Sequence, residues 1–138
     1  MVETGDDVQR VMAGSVISLC LDTGHMLIGG SDPLAVTRQA PDRIAHTHLK
    51  DVDLALAKRV QSGELTYTDA VKVGMYQPLG QGDVDIAGVV QHLEAHGYDG
   101  WYVLEQDAIL DEEPRDEGPL VDVRASAEYI RSVLTALP

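Results

Sequence analysis

Three short stretches of this chain end in side chains that can hold a metal ion or move a proton: CLDTGH (20–25), HTHLKD (46–51) and WYVLEQD (101–107). Each opens on an apolar or β-branched run that reads as a short strand. Side chains alternate across a strand. Cys20 and Asp22 therefore share one face, His46 and His48 a second, and Trp101, Val103 and Glu105 a third. The opposite faces are apolar or small: Leu19 and Leu21; Ala45, Thr47 and Leu49; Tyr102 and Leu104. Each polar face ends, at the carboxyl end of its strand, in a metal-capable side chain: Asp22, His48 or Glu105. Two carboxylates and an imidazole make a set suited to Mn²⁺, Co²⁺, Mg²⁺ or Zn²⁺. The set lacks a thiolate, which favours a catalytic site over a structural one. His25 follows Asp22 by three residues, across Gly24. A glycine there suggests a sharp turn that brings His25 back over the site to orient substrate or move a proton.

Plainer readings exist for the same residues. Asp22 also suits the cap of a turn. His46 suits a hydrogen-bonded interior histidine, since it lies one residue pair deeper than His48. Glu105, Gln106 and Asp107 could form a solvated strand end. His92 and His96 suit surface positions near a helix C-terminus. The glycines of PLGQGD (78–83) suit a turn, and no Lys or Arg follows them to complete a phosphate cradle.

The elements that would position these residues alternate. Helical patterns over 3–13, 31–40, around 53–61, 83–97 and 121–137 surround strands at 15–22, 43–51 and 100–107. The first strand reads as buried on both faces. Ile86, Val89, Val90 and Leu93 mark the core face of the 83–97 helix, and Gly97 its C-terminal stop. Residues 52–79 are the least regular part, and 108–120 read as an acidic loop. This order predicts an α/β fold with parallel strands and crossover helices in a single domain, 1–138. In such folds ligands gather beyond the carboxyl ends of the strands, where Asp22, His48 and Glu105 stand.

Composition narrows the partners. The net charge is −13, from 23 acidic and 10 basic residues. That balance argues against nucleic acid and anionic membrane as partners and suits a cation or a neutral polar substrate. No run approaches the ~20 apolar residues of a membrane span. Cys20 is the single cysteine, so no internal disulfide forms, and a reducing, cytoplasmic setting is the default. The acidic MVETGDDVQR start does not read as a signal peptide.

DTGH (22–25), HTHLKD (46–51), PLGQGDVD (78–85) and GYDGWYVLEQD (97–107) occur in the order seen in xylose-isomerase-like TIM-barrel proteins, and the chain resembles that family from about Val2 onward. The LGQGD loop and the Glu-Gln-Asp ending look most like its inosose (2-keto-myo-inositol) dehydratase branch. The resemblance implies that Asp22, His48 and Glu105 are metal ligands and that His25 contacts substrate. It also implies a metal-dependent lyase or isomerase acting on a polyol ketone or sugar. Epimerase relatives place an Arg six residues after the metal histidine, where this chain has Leu54, which argues against that branch.

A full TIM barrel takes ~250 residues; this chain has 138 and corresponds to the C-terminal half. A fourth ligand, drawn in the family from the fourth strand, then lies outside it. The expected substrate contacts are His25, His46, Lys50 and Trp101. Open sheet edges predict either that the chain is a fragment of a longer gene or that another polypeptide completes the barrel, as a homodimer or a separately encoded N-terminal half. The competing expectations are a non-catalytic half-barrel that binds a partner or sugar, and an apurinic-site endonuclease, which the charge disfavours.

Overall fold

The computed structural model describes residues 4–114 and 116–137. Helix α1 (Gly5–Gly14) starts where Thr4 Oγ1 accepts the Asp7 N–H. The expected start at Glu3 lies outside the described residues. Strand β1 (Leu19–Asp22) leads into α2 (Thr23–Ile28), and α3 (Pro33–Gln39) follows with Asp32 as its cap and a proline in its first turn. Strand β2 (Ile44–Leu49) is followed by the two-residue β3 (Asp51–Val52) and by α4 (Leu54–Gln61), capped by Asp53. Then come α5 (Tyr67–Lys72), β4 (Tyr76–Gln77), α6 (Ile86–Ala95), β5 (Tyr102–Leu104) and α7 (Leu120–Thr135).

The strands form a parallel sheet in the order β1-β2-β5, with β3 and β4 as a separate antiparallel pair. The α/β architecture with crossover helices is therefore the expected one, and its three parallel strands make part of a barrel. Leu21, Leu49 and Thr47 point to the helix side and are nearly or wholly buried. On α6, Ile86, Val89, Val90 and Leu93 are all fully buried, as their spacing predicts. Burial of side chains this size contributes about 1.5–3 kcal/mol each. Gly97 follows α6 with a φ of +73°, the left-handed stop that glycine allows without strain.

Two expectations need correction. The first strand spans four residues, and it is not buried on both faces: Cys20 is exposed. Val16 is 96% exposed and lies before the strand. The Arg43 guanidinium donates to the carbonyls of Ser15 and Ile17, so those groups are satisfied outside the sheet ladder. Residues 52–79 are more regular than their glycines suggest. Thr66 and Asp69 form a reciprocal cap that starts α5, and β3 pairs with β4 through Asp51–Gln77 and Val52–Tyr76.

The PLGQGD loop owes its shape to Asp51. This carboxylate is 1% exposed and accepts the N–H groups of Val52, Gly80, Gly82 and Val84 at 2.8–3.0 Å. A Cβ on Gly82 would stand 2.3 Å from Asp51 Oδ1 and 2.7 Å from the Val52 nitrogen, so only glycine fits. The loop is an anion cradle, and the anion is the protein's own side chain.

Candidate metal centre

Register brings the three metal-type residues together. Asp22 pairs with His48 across β1–β2, and His48 pairs with Val103 across β2–β5. Glu105 lies two residues past Val103 on the same face, and its N–H reaches the Leu49 carbonyl at 3.2 Å. One ligand atom from each of Asp22, His48 and Glu105 lies within 4.8 Å of the others. His48 Nδ1 stands 2.7 Å from Glu105 Oε2 and 3.8 Å from Asp22 Oδ2.

Asp22 serves two ends at once. Its Oδ1 caps α2 by accepting the His25 N–H at 2.9 Å, while its Oδ2 faces the cluster. The cap and ligand readings of Asp22 are thus compatible, because a carboxylate has two oxygens to offer.

Lys50 lies inside this cluster. Its side chain is 3% exposed, and its Nζ reaches Asp107 Oδ2 at 2.9 Å, Glu105 Oε1 at 3.1 Å and Asp22 Oδ2 at 3.4 Å. It also lies 5.3 Å from the centre of the Tyr76 ring. Burial pulls the ammonium's pKa down. The hydrogen bond to Asp107, the charge of Asp22 and the hydrogen bond to Glu105 outweigh it, and the pKa stands above the ordinary lysine value. Lys50 is therefore a fixed cation and a donor, not a base. Thr23 positions it: the buried Oγ1 accepts the Lys50 N–H at 2.9 Å and donates to the Lys50 carbonyl at 2.8 Å.

The cluster's donor set fits a divalent ion. Three carboxylates against one ammonium leave a formal charge of −2, if His48 is neutral. Glu105 Oε2 is shielded from solvent and lies 2.7 Å from His48 Nδ1. Ligand atoms about 2.0–2.2 Å from a shared ion lie roughly 3 Å apart, close to that spacing.

Gly24 does not make the expected turn. It has no positive φ and sits in the first turn of α2. Its role is close approach, since a Cβ there would lie 2.7 Å from Lys50 Cβ and 3.2 Å from Tyr76 Cε1. The His25 ring, half-buried on α2, stacks on Tyr67 at 6.4 Å between centroids, and the Tyr67 hydroxyl meets that of Tyr76 at 2.9 Å. Burial and the Tyr67 hydrogen bond push the Tyr76 phenol well above the usual tyrosine range, so it stays protonated.

His46 is half-buried rather than interior, with its ring edge-on to His48 at 5.4 Å. Trp101 is 76% exposed and precedes β5. Four residues of strand, roughly 13 Å, separate it from Glu105, so it stands apart from the cluster. His92 and His96 face each other at the far end of α6, with His96 Nδ1 at 2.7 Å from the His92 carbonyl. Burial, then the charges of Asp22 and Glu105, push the Cys20 thiol up. A cavity of about 440 Å³ beside α2, α3 and α4 contains none of these groups, and its Asp32, Asp83 and Asp85 are occupied as acceptors of helix N–H groups.

Sequence reasoning missed Asp107, Tyr67, Tyr76 and Thr23. Two of them lie inside quoted motifs, Asp107 at the end of WYVLEQD and Thr23 within DTGH, and those motifs are the only signal the sequence offers for them.

Comparison with known proteins agrees with this architecture. The profile of the xylose isomerase-like TIM barrel family matches residues 2–133. The inosose dehydratase of Geobacillus thermodenitrificans is 33% identical over 133 residues, which span 94% of this chain and 43% of that protein. The rhizopine catabolism protein MocC of Rhizobium meliloti is 32% identical over 138 residues, 99% of this chain and 41% of that protein. The crystal structure of a xylose isomerase domain protein from Planctomyces limnophilus superposes with a TM-score of 0.64 at 19% identity, over 96% of this chain and 44% of that one. The chain thus spans less than half the length of these relatives. It belongs to the xylose isomerase-like TIM barrel family, of which it carries part of the barrel.

Proposed function

We propose that this chain carries the metal-binding part of an active site that eliminates water from a polyol ketone or sugar, in the manner of an inosose dehydratase. The observation that supports this best is the convergence of Asp22, His48 and Glu105 around a buried, permanently charged Lys50. Asp22, His48 and Glu105 would hold the divalent ion (Mn²⁺, Co²⁺, Mg²⁺ or Zn²⁺), which when bound supplies a Lewis acid for the substrate carbonyl.

The remaining roles fall to this chain's own groups. Lys50 donates a hydrogen bond to a substrate oxygen and, being held cationic, stabilises negative charge that grows there. His25 is held beside Asp22 by its backbone N–H, and its ring stacks on Tyr67. It takes the proton from the carbon next to the carbonyl. His25 returns that proton to the hydroxyl on the following carbon, which leaves as water as the bond between the two carbons becomes double. His46 extends the same face and is assigned to substrate contact further from the reacting carbons; Trp101, before β5 and about 13 Å from Glu105, lies too far away for the contact expected of it.

A second reading rests on the chain's share of its relatives: a half-barrel that acts only with a complementary half or a second copy. Strands β1 and β5 are the outer strands of the parallel sheet. Among the described residues no helix is long and apolar enough to cross a membrane, and the single cysteine fits a cytoplasmic setting.

The test pairs a dehydration assay with metal binding, using the full chain with Mn²⁺ or Co²⁺. His25→Ala should keep its metal and lose turnover; unchanged turnover would remove His25 from the mechanism. Sedimentation run beside the assay reads the second reading. Activity that appears only in associated species supports it, and a fully active monomer contradicts it.

A further inference from the structure

We propose that Cys20, His46 and His48 form a second, softer metal position one pleat below the Asp22–His48–Glu105 cluster, and that the two positions compete for His48. Register places Cys20 opposite His46 on adjacent strands, as it places Asp22 opposite His48. One ligand atom from each of Cys20, His46 and His48 lies within 4.8 Å of the others. The thiol is exposed and both imidazoles are partly open, so an ion can reach all three.

The two sets differ in softness. Two carboxylates and an imidazole suit Mn²⁺ and Mg²⁺, whereas a thiolate with two imidazoles selects thiophilic ions such as Zn²⁺, Cd²⁺ and Co²⁺. On binding, the Cys20 thiol gives its proton to solvent and a sulfur–metal bond forms; no electron changes hands. Three protein ligands leave an open position for water. A neutral imidazole has one free lone pair, so a neutral His48 serves one ion at a time. A thiophilic ion on Cys20 and His46 then withdraws His48 from the upper set. The competition rests on the proposed role of that set; the lower position does not.

Co²⁺ titration of the full chain tests this, because thiolate–Co²⁺ charge transfer absorbs in the near ultraviolet and Cys20 is the only thiol. The band should rise with one Co²⁺ per chain, vanish in Cys20→Ser and weaken at least tenfold in apparent affinity in His46→Ala. It should persist in Glu105→Gln. Circular dichroism checks that each variant is folded. Displacing Mn²⁺, followed separately by electron paramagnetic resonance, should take at least tenfold less Zn²⁺ in the wild type than in Cys20→Ser, where Zn²⁺ competes only directly at the upper set. A wild type without the charge-transfer band at saturating Co²⁺, or a band that survives Cys20→Ser, overturns the proposal. A wild type that takes up no Mn²⁺ when no other metal is present, while Co²⁺ alone gives the band, would instead refute the upper set alone.

Discussion

Lys50→Met is the substitution that bears hardest on the site's electrostatics. Methionine keeps much of the apolar stem and removes the ammonium. Three carboxylate groups then face one another without the cation that now sits 2.9–3.4 Å from each. At an effective dielectric near 20, each contact is worth about 5 kcal/mol of gross attraction. Burying the ammonium costs several kcal/mol, which the methionine recovers. Breaking a fully buried pair typically costs about 3–5 kcal/mol. The carboxylates are only partly buried, and screening brings the expected loss to about 2–3 kcal/mol. For a chain of this size that lowers Tm by roughly 10 °C. The pH dependence has a definite sign. Lys50's folded pKa stands above its ordinary 10.5, so its contribution is whole below pH 10.5 and vanishes only as pH climbs through the raised value. The variant's deficit should therefore be flat from neutral pH up to about 10.5 and shrink only above it. Mn²⁺ should bind the variant more tightly than the wild type, since a like charge has left. Thermal melts with and without Mn²⁺ measure all of this. An unchanged Tm, or weaker Mn²⁺ binding, would refute the reading of Lys50 as the cation that offsets the cluster.

Asp51→Ala strands the N–H groups of Val52, Gly80, Gly82 and Val84 and should cost about 3–5 kcal/mol; hydrogen exchange at residues 80–84 should rise with the fall in Tm. Gly24→Ala drives a methyl against Lys50 Cβ and should destabilise by about 1–3 kcal/mol, with weaker Mn²⁺ affinity as Lys50 and Asp22 shift. Calorimetry showing neither change would mean that the α2–Lys50 contact is slack. Thr23→Val keeps shape but loses both hydrogen bonds to Lys50, and should cost about 1–2 kcal/mol by chemical denaturation.

The parts of the site that sequence makes legible are those governed by period. Alternation along each strand, read with parallel pairing, brings Asp22, His48 and Glu105 to one face at one end, and the structure places them there. The α6 core face follows from helical spacing in the same way. What period does not reach is the set of contacts between elements distant in sequence. Asp107 meets Lys50 from 57 positions away, through an irregular stretch after β5. Tyr67 and Tyr76 lie on elements of six and two residues, too short to show a pattern. Gly24 was misread because a glycine signals either a turn or a close approach, and only the third dimension tells which. Asp51 looked like part of a motif after β2, while its work is to fill a loop about 30 residues further on.

The central claim is that Asp22, His48 and Glu105 hold one divalent ion. Mn²⁺ titration followed by electron paramagnetic resonance, on the wild type and on Glu105→Gln, tests it most directly. Loss of an outer partner to a ligand already costs 10–100-fold in metal affinity. Loss of the ligand itself should exceed about 100-fold, from a wild type that takes up one Mn²⁺ per chain. A wild type that leaves Mn²⁺ free, or a Glu105→Gln variant that binds it as tightly, would contradict the account.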